Sequence, residues 1–297
     1  MAATQTAAGT TASGTAWRRY MDTIPTGGTI RWGIPESRIG EAGTPMMLYT
    51  HGAGGGPNDF EAIAAWQGIR DYLLDNGIGW IEGSGGGSQP WANDATKAAY
   101  EATWQYGADL FQPSVTFGMF RSMGGLVGQW LLTQSEVVAP YMQGAMINSG
   151  VQDLMWAYQW GRWTDAMNAA WGVSSYAEFQ IAAQASDPMQ FDPSVWAGTQ
   201  VMQLVGTADS LVPAEDNGLA IRARYSGQPA IDLLDNRQGG DHSQSNGSYL
   251  QTAAMAAMVN LIVGITPPAP TDDKRFREVL SVGRLVGSTW RPLRHAR

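Results

Sequence analysis

The sequence predicts an α/β fold, a mostly parallel sheet with helices on both faces. Three observations carry that expectation. Short β-prone runs alternate with helical patterns along most of the 297 residues, the order of βαβ units. Hydrophobic residues make up 44% of the chain, enough for a domain-sized core. Gly and Asn-Gly punctuation falls at the ends of these runs, where tight turns between strand and helix need it.

The first strand-like run is Thr29 to Pro35 (TIRWGIP), and the second is Met46 to Thr50 (MMLYT), which ends in HGAGGG. From Asn58 onward, Phe60, Ile63, Trp66, Ile69 and Leu73 recur at three- and four-residue steps, so they share one helical face. Asn76-Gly77 stops that helix, as a left-handed C-terminal residue does. A strand over Ile78 to Glu82 ends at GSGGGS (Gly83 to Ser88). A helix over Asn93 to Leu110, a strand over Ser114 to Phe120, a helix over Gly124 to Thr133 and a strand over Gly144 to Gly150 continue the alternation. It breaks at 151–198, a Trp-rich insertion. It resumes with a strand over Gln200 to Gly206, a helix near Ala214 to Tyr225, a strand over Ala230 to Leu234 and a helix near Tyr249 to Ile265. The expected organisation is a flexible N-terminal arm at 1–22, a core at 23–150 and 199–266, the insertion between them, and a basic extension at 267–297.

Charge and composition exclude several classes. The chain has 18 Lys/Arg against 26 Asp/Glu, a net −8, which argues against nucleic acid as the main ligand. From Lys274 onward the extension holds seven of the basic residues, with Asp272, Asp273 and Glu278 its acids. The body is therefore near −12 and the extension near +4, so the extension is expected to be solvated or to dock on an acidic partner surface. Absence of Cys excludes disulfides, Cys-ligated zinc and thiolate catalysis. With three separated His residues and no Cys, no metal site and no cofactor are expected. The opening MAATQTAAGTTASGTA lacks the basic and apolar regions of a secretory signal. The least polar stretch, Leu250 to Ile265, is short for a bilayer span and carries Gln, Thr and Asn. A soluble protein without a membrane span is the expectation.

Chemistry concentrates at Phe120-Arg121-Ser122-Met123-Gly124-Gly125, where a predicted strand meets a predicted helix. A serine on such a turn has an exposed hydroxyl backed by a helix N-terminus, and small residues must follow because helix and strand come very close. A helix N-cap is the plainer reading of the serine alone. This segment resembles the nucleophile elbow of the α/β-hydrolase superfamily, Gly-x-Ser-x-Gly, with Phe120 in place of the first glycine. The resemblance spans about residues 29–266. It implies an α/β-hydrolase fold with a helical lid, Ser122 as nucleophile and, in Leu204 to Pro213 (LVGTADSLVP), Asp209 as triad acid. A turn-capping role is the plainer reading of Asp209, and Asp216 and Asp235 are the alternative acids. Of His51, His242 and His295, the first belongs to a glycine loop and the last lies near the C-terminus. His242, in GGDHS, completes the order Ser122, Asp209, His242, which is the chain order of this superfamily.

The resemblance also implies an oxyanion hole from the backbone N–H of Met123 and of Ala53 or Gly54 in the loop after MMLYT. The same glycines as a phosphate cradle would need GK[ST] or GxGxxG spacing, which is missing. The loop at Gly83 to Ser88 either lines the pocket or is merely flexible. Trp156, Trp160 and Trp163 sit at helical spacing in the insertion. They are expected either to pack the insertion onto the core or to line an acyl pocket as part of a lid. The function implied is a serine hydrolase acting on a carboxylic ester, a small molecule or a cell-envelope ester, with amide, peptide or thioester cleavage as the rival chemistry. From a different class, the polar extensions give a weaker resemblance to hydrolase-like tail proteins of actinobacterial phages. A non-catalytic, virion-associated component would then be held to an assembly partner by its termini.

Overall fold

The computed structural model describes residues 3–24, 28–226, 228, 233–243, 251–264, 283–286 and 289–292. Nine strands form one sheet: β1 (Thr4–Thr10), β2 (Ala16–Thr23), β3 (Thr29–Pro35), β4 (Met46–Thr50), β5 (Gly79–Gly83), β6 (Thr116–Arg121), β7 (Met142–Asn148), β8 (Gln200–Gly206) and β9 (Leu233–Arg237), in the order β1-β2-β3-β5-β4-β6-β7-β8-β9. The first three pairings, ending with β3 on β5, are antiparallel, and every pairing from β5–β4 to β8–β9 is parallel.

The helices are α1 (Asp59–Ala62), α2 (Gln67–Asp75), α3 (Asp94–Phe111), α4 (Gly124–Thr133), α5 (Leu154–Gln159), α6 (Thr164–Trp171), α7 (Tyr176–Ala183), α8 (Gly218–Arg224) and α9 (Gln251–Val263). Side chains alternate across the buried strands as the pleat requires. Met47 and Tyr49 of β4, with Phe117 and Met119 of β6, join α2 and α9 in a core on one face. Met46, Leu48 and Phe120 point to the opposite core, with Tyr100 of α3, Leu126 of α4 and Ile221 of α8. The two cores make a three-layer α/β/α sandwich.

Two expectations change. Within 1–22, expected as a flexible arm, Thr4–Thr10 and the strand from Ala16 form the β1–β2 hairpin that extends the antiparallel edge of the sheet. The arm's Thr-rich composition suits an edge strand, and Thr11 Oγ1 anchors the hairpin turn by donating to Asp75 at 2.6 Å. The continuous helix expected from Asn58 is broken at Ile63, which has extended backbone (φ −75°, ψ 108°). Its apolar face survives the break, since Phe60, Trp66, Ile69 and Leu73 are all buried together. Arg70 Nη1 donates to the carbonyls of Phe60 at 2.6 Å and Ile63 at 3.0 Å, satisfying groups at the break. In the basic extension, Gly283–Val286 and Thr289–Pro292 pair as an antiparallel hairpin. The rest of 267–297, like the start of the expected strand over Ala230 to Leu234, lies outside the described residues.

The strand order positions the site. β4 has β5 on one side and β6 on the other, so the chain reverses its direction of winding at β4. The carboxyl ends of β4 and β6 thus flank a switch point, where open α/β sheets place ligands. Both the His51 loop and Ser122 emerge there.

Candidate active site

β6 runs into α4 through Ser122 and Met123, and the turn forces Ser122 to φ 49°. A non-glycine residue there is strained by about 1–3 kcal/mol and persists only where its surroundings hold it. They do: the Ser122 N–H donates to the Asn148 carbonyl at 3.1 Å, and the Ser122 carbonyl accepts from Gly125 at 2.9 Å and Val151 at 2.8 Å. Close approach explains the small residue after the serine. A Cβ on Gly124 would lie 2.5 Å from the Thr50 carbonyl oxygen and 2.6 Å from that of His51, so any larger residue would push the elbow off β4.

Phe120, in the place of the expected first glycine, is fully buried. Its ring lies against two other glycines. A Cβ on Gly118, two residues back on the same face of β6, would fall 2.1 Å from the ring, and so would one on Gly128, one turn into α4. Space absent from position 120 is thus supplied at 118 and 128, and the elbow keeps its geometry.

Three distant side chains meet beside this turn. His242 Nε2 lies 3.0 Å from Ser122 Oγ, and His242 Nδ1 lies 2.9 Å from Asp209 Oδ2. The carboxylate cannot donate, so Nδ1 carries the proton and donates to it, leaving the Nε2 lone pair to accept from the serine hydroxyl. The other carboxylate oxygen, Asp209 Oδ1, accepts from the N–H groups of Leu211 at 3.0 Å and Val212 at 2.8 Å. Its side chain is 1% exposed against 16% for His242, so the pair is sheltered while the imidazole still reaches the cavity. The two loops are tied together, because Ala208 N–H donates to the Gly240 carbonyl at 2.9 Å and Gly239 N–H to Thr207 Oγ1 at 2.9 Å. Of the alternative acids, Asp216 is exposed before α8, and Asp235 lies within β9.

Among the described residues, the amides of Ala53 and Met123 have no protein acceptor. The Gly54 amide differs from expectation: it donates to the Ser88 carbonyl at 2.8 Å, so it has no donor to spare for a ligand. That bond gives the glycine loop at Gly83 to Ser88 a structural role. His51 is buried, with Nδ1 2.8 Å from the Gly52 carbonyl and Nε2 3.1 Å from that of Ser84. Its own N–H donates to the Tyr100 hydroxyl at 3.0 Å, a phenol whose burial pushes its pKa well above the ordinary range. His51 therefore shapes the loop. His295 lies outside the described residues. Nearby, beneath α1, the carboxyl of Glu82 is fully buried and pushed up to about 8 by desolvation, although it accepts from Phe60 N–H at 2.8 Å and Glu61 N–H at 3.3 Å.

A cavity of about 300 Å3 opens on Ser122 and His242 and is walled by Trp91, Trp163, Leu211 and Val151. The expected Trp-rich insertion is helical, but Trp156, Trp160 and Trp163 do not share one helix. α5 ends at Gln159, and Gly161 has φ 79°. Only Trp163 of the three lines the cavity, packed on Trp91 with centroids 5.1 Å apart. Trp156 and Trp160 stack on each other outside it, 5.1 Å apart, and Trp160 is 39% exposed. Sequence reasoning missed Gln89, Trp91, Arg121 and Arg162 as lining residues. Arg121 and Arg162 stand directly beside residues it did single out, Ser122 and Trp163. Trp91 carried no such signal. A larger open groove of about 620 Å3 lies at the other end of the sheet, around the start of β6, and includes none of these groups. Among the described residues no His, Asp and Glu cluster has the makings of a metal site, and no helix is long and apolar enough to cross a membrane.

No protein-family model and no curated protein matches the chain by sequence. Solved structures do match. A puromycin-hydrolyzing peptidase of Mycobacterium tuberculosis superposes with a TM-score of 0.65 at 18% identity over 85% of this chain. An S-formylglutathione hydrolase from Agrobacterium tumefaciens gives 0.63 at 13% identity, covering 86% of this chain and 99% of its own. The chain has the α/β-hydrolase fold. An acylaminoacyl peptidase agrees, with a TM-score of 0.65 at 12% identity over 89% of this chain. The chain spans only 40% of the length of the mycobacterial peptidase and 44% of the acylaminoacyl peptidase. Within the α/β-hydrolase fold, β6 and α4 form the strand and helix on either side of the elbow, and the helical insertion follows β7.

Proposed function

We propose that this protein is a serine hydrolase that cleaves a carboxylic ester through an acyl-enzyme. The reading rests on one observation, the unbroken contact from Ser122 Oγ through the His242 imidazole to the Asp209 carboxylate. In the first half-reaction the Ser122 proton moves to His242 Nε2 as Oγ bonds to the ester carbonyl carbon. Charge on the carbonyl oxygen is met by the free amides of Ala53 and Met123, fixed donors that need no reorganisation. The carbon–alkoxy bond then breaks and His242 returns its proton to the departing alcohol. Water repeats the sequence on the acyl-enzyme, releasing the acid and restoring the hydroxyl. Asp209 stays ionised, holding the imidazole in its working tautomer and offsetting the charge it gains. The insertion carrying Trp163 serves as a lid over the acyl pocket.

Ester cleavage is favoured over peptide cleavage by size: neighbours of comparable length include two named as esterases and an S-formylglutathione hydrolase, whereas the peptidases have chains about twice as long. The test compares 4-nitrophenyl esters with the matching anilides, for the wild type and Ser122→Ala. Ester turnover that disappears in the variant supports the reading. Faster anilide turnover would move the substrate class to amides. Turnover of neither, as a non-catalytic component on this scaffold such as a phage tail protein would give, ends it.

A further inference from the structure

The cavity beside Ser122 has a charge that the chain as a whole lacks. Lys and Arg are scarce, 18 of 297 residues in a chain of net −8, yet Arg121 and Arg162 both line this cavity and, among the described residues, no Asp or Glu does. The two arginines differ. Arg121 is compensated by an ion pair with Asp59 at 3.3 Å, and its guanidinium lies over the Trp66 ring. Among the described residues, no carboxylate lies within ion-pair distance of Arg162. Its guanidinium stands 5.8 Å from the centroid of Trp160. It occupies the turn between α5 and α6, next to Trp163 of the cavity wall.

An uncompensated guanidinium at the wall of an aromatic cavity offers a planar two-pronged donor that matches a carboxylate. The residue is exposed and its guanidinium lies beside one indole, that of Trp160, so its attraction for an anion is open to screening by salt. We infer that the substrate carries a carboxylate set apart from its scissile ester, and that Arg162 recognises it. A carboxylate fits better than a phosphate dianion, because Arg162 is the one cavity cation without a carboxylate partner among the described residues. The inference rests on the hydrolase reading and names its substrate class.

Two matched pairs test it. Mono-4-nitrophenyl adipate against its terminal amide puts the charge on the acyl side, and 4-acetoxybenzoate against 4-acetoxybenzamide puts it on the leaving group. The readout is the ratio of kcat/KM within a pair, which cancels any loss of folded or active enzyme. One pair is expected to favour the anion about tenfold at low ionic strength, carried in KM and shrinking as salt is raised. Arg162→Gln is expected to bring that ratio near one, and Arg162→Lys to restore part of it. A ratio near one in both wild-type pairs, or a preference unmoved by salt and by Arg162→Gln, would overturn the inference while leaving Ser122-dependent hydrolysis intact. Absence of Ser122-dependent turnover in all four substrates would overturn the hydrolase reading along with it.

Discussion

Replacing Gly128 with Ala should destabilise this protein when Phe120 is present and stabilise it when Phe120 is gone. With the ring in place, a Cβ at 128 would meet its Cγ at 2.1 Å. The ring must shift to make room, and overpacking of this kind costs about 1–3 kcal/mol. Phe120→Ala alone removes a side chain with no exposed surface and should cost about 3–5 kcal/mol. In that background the methyl group at 128 enters vacated space, regaining about 0.8 kcal/mol from burial and about 1 kcal/mol from the better helix propensity of Ala. The double variant should therefore be roughly 2 kcal/mol more stable than Phe120→Ala. Guanidinium unfolding followed by tryptophan fluorescence reads all four proteins. A Gly128→Ala effect of the same sign and size in both backgrounds would refute the claim that these glycines accommodate Phe120 at the elbow.

Asp209→Asn should leave the fold intact and lower kcat by about three to four orders of magnitude, since an amide no longer fixes the His242 tautomer; steady-state kinetics on a 4-nitrophenyl ester checks this, and a loss under tenfold would contradict it. Gly124→Ala places a Cβ within 2.6 Å of two backbone oxygens, so both melting temperature and turnover should fall, whereas unchanged values would show that the elbow has room. Glu82 is pushed up to about 8 by burial. Because its folded pKa exceeds its unfolded one, the stability it contributes is complete below about 4.5 and is lost as pH rises towards 8, amounting to a few kcal/mol. Denaturation curves across that range should show a shallower pH slope for Glu82→Gln than for the wild type, and identical slopes would remove the buried carboxyl from the account.

The alternation of β4, α2, β5, α3, β6 and α4 was legible because each strand is buried on both faces and each turn needs its own chemistry. The Ser122 turn was legible for a related reason: backbone crowding around Gly124 leaves few residue choices. The break at Ile63 was not, since the apolar face is continuous on either side and the carbonyls are satisfied by Arg70 from a later turn. Nor was the β1–β2 hairpin, whose residues are polar because an edge strand buries little. Trp163 stands in the cavity while Trp160, three residues earlier, does not, because a turn at Gly161 replaces the helix that their spacing implied. Gly118 and Gly128 each had a meaning only once the Phe120 ring was seen between them.

The most direct measurement is covalent labelling of the native protein with a fluorophosphonate, followed by peptide mapping. The account predicts a single adduct on Ser122, formed only by folded protein and absent from Ser122→Ala. An unlabelled wild type, or an adduct that survives the substitution, would contradict it.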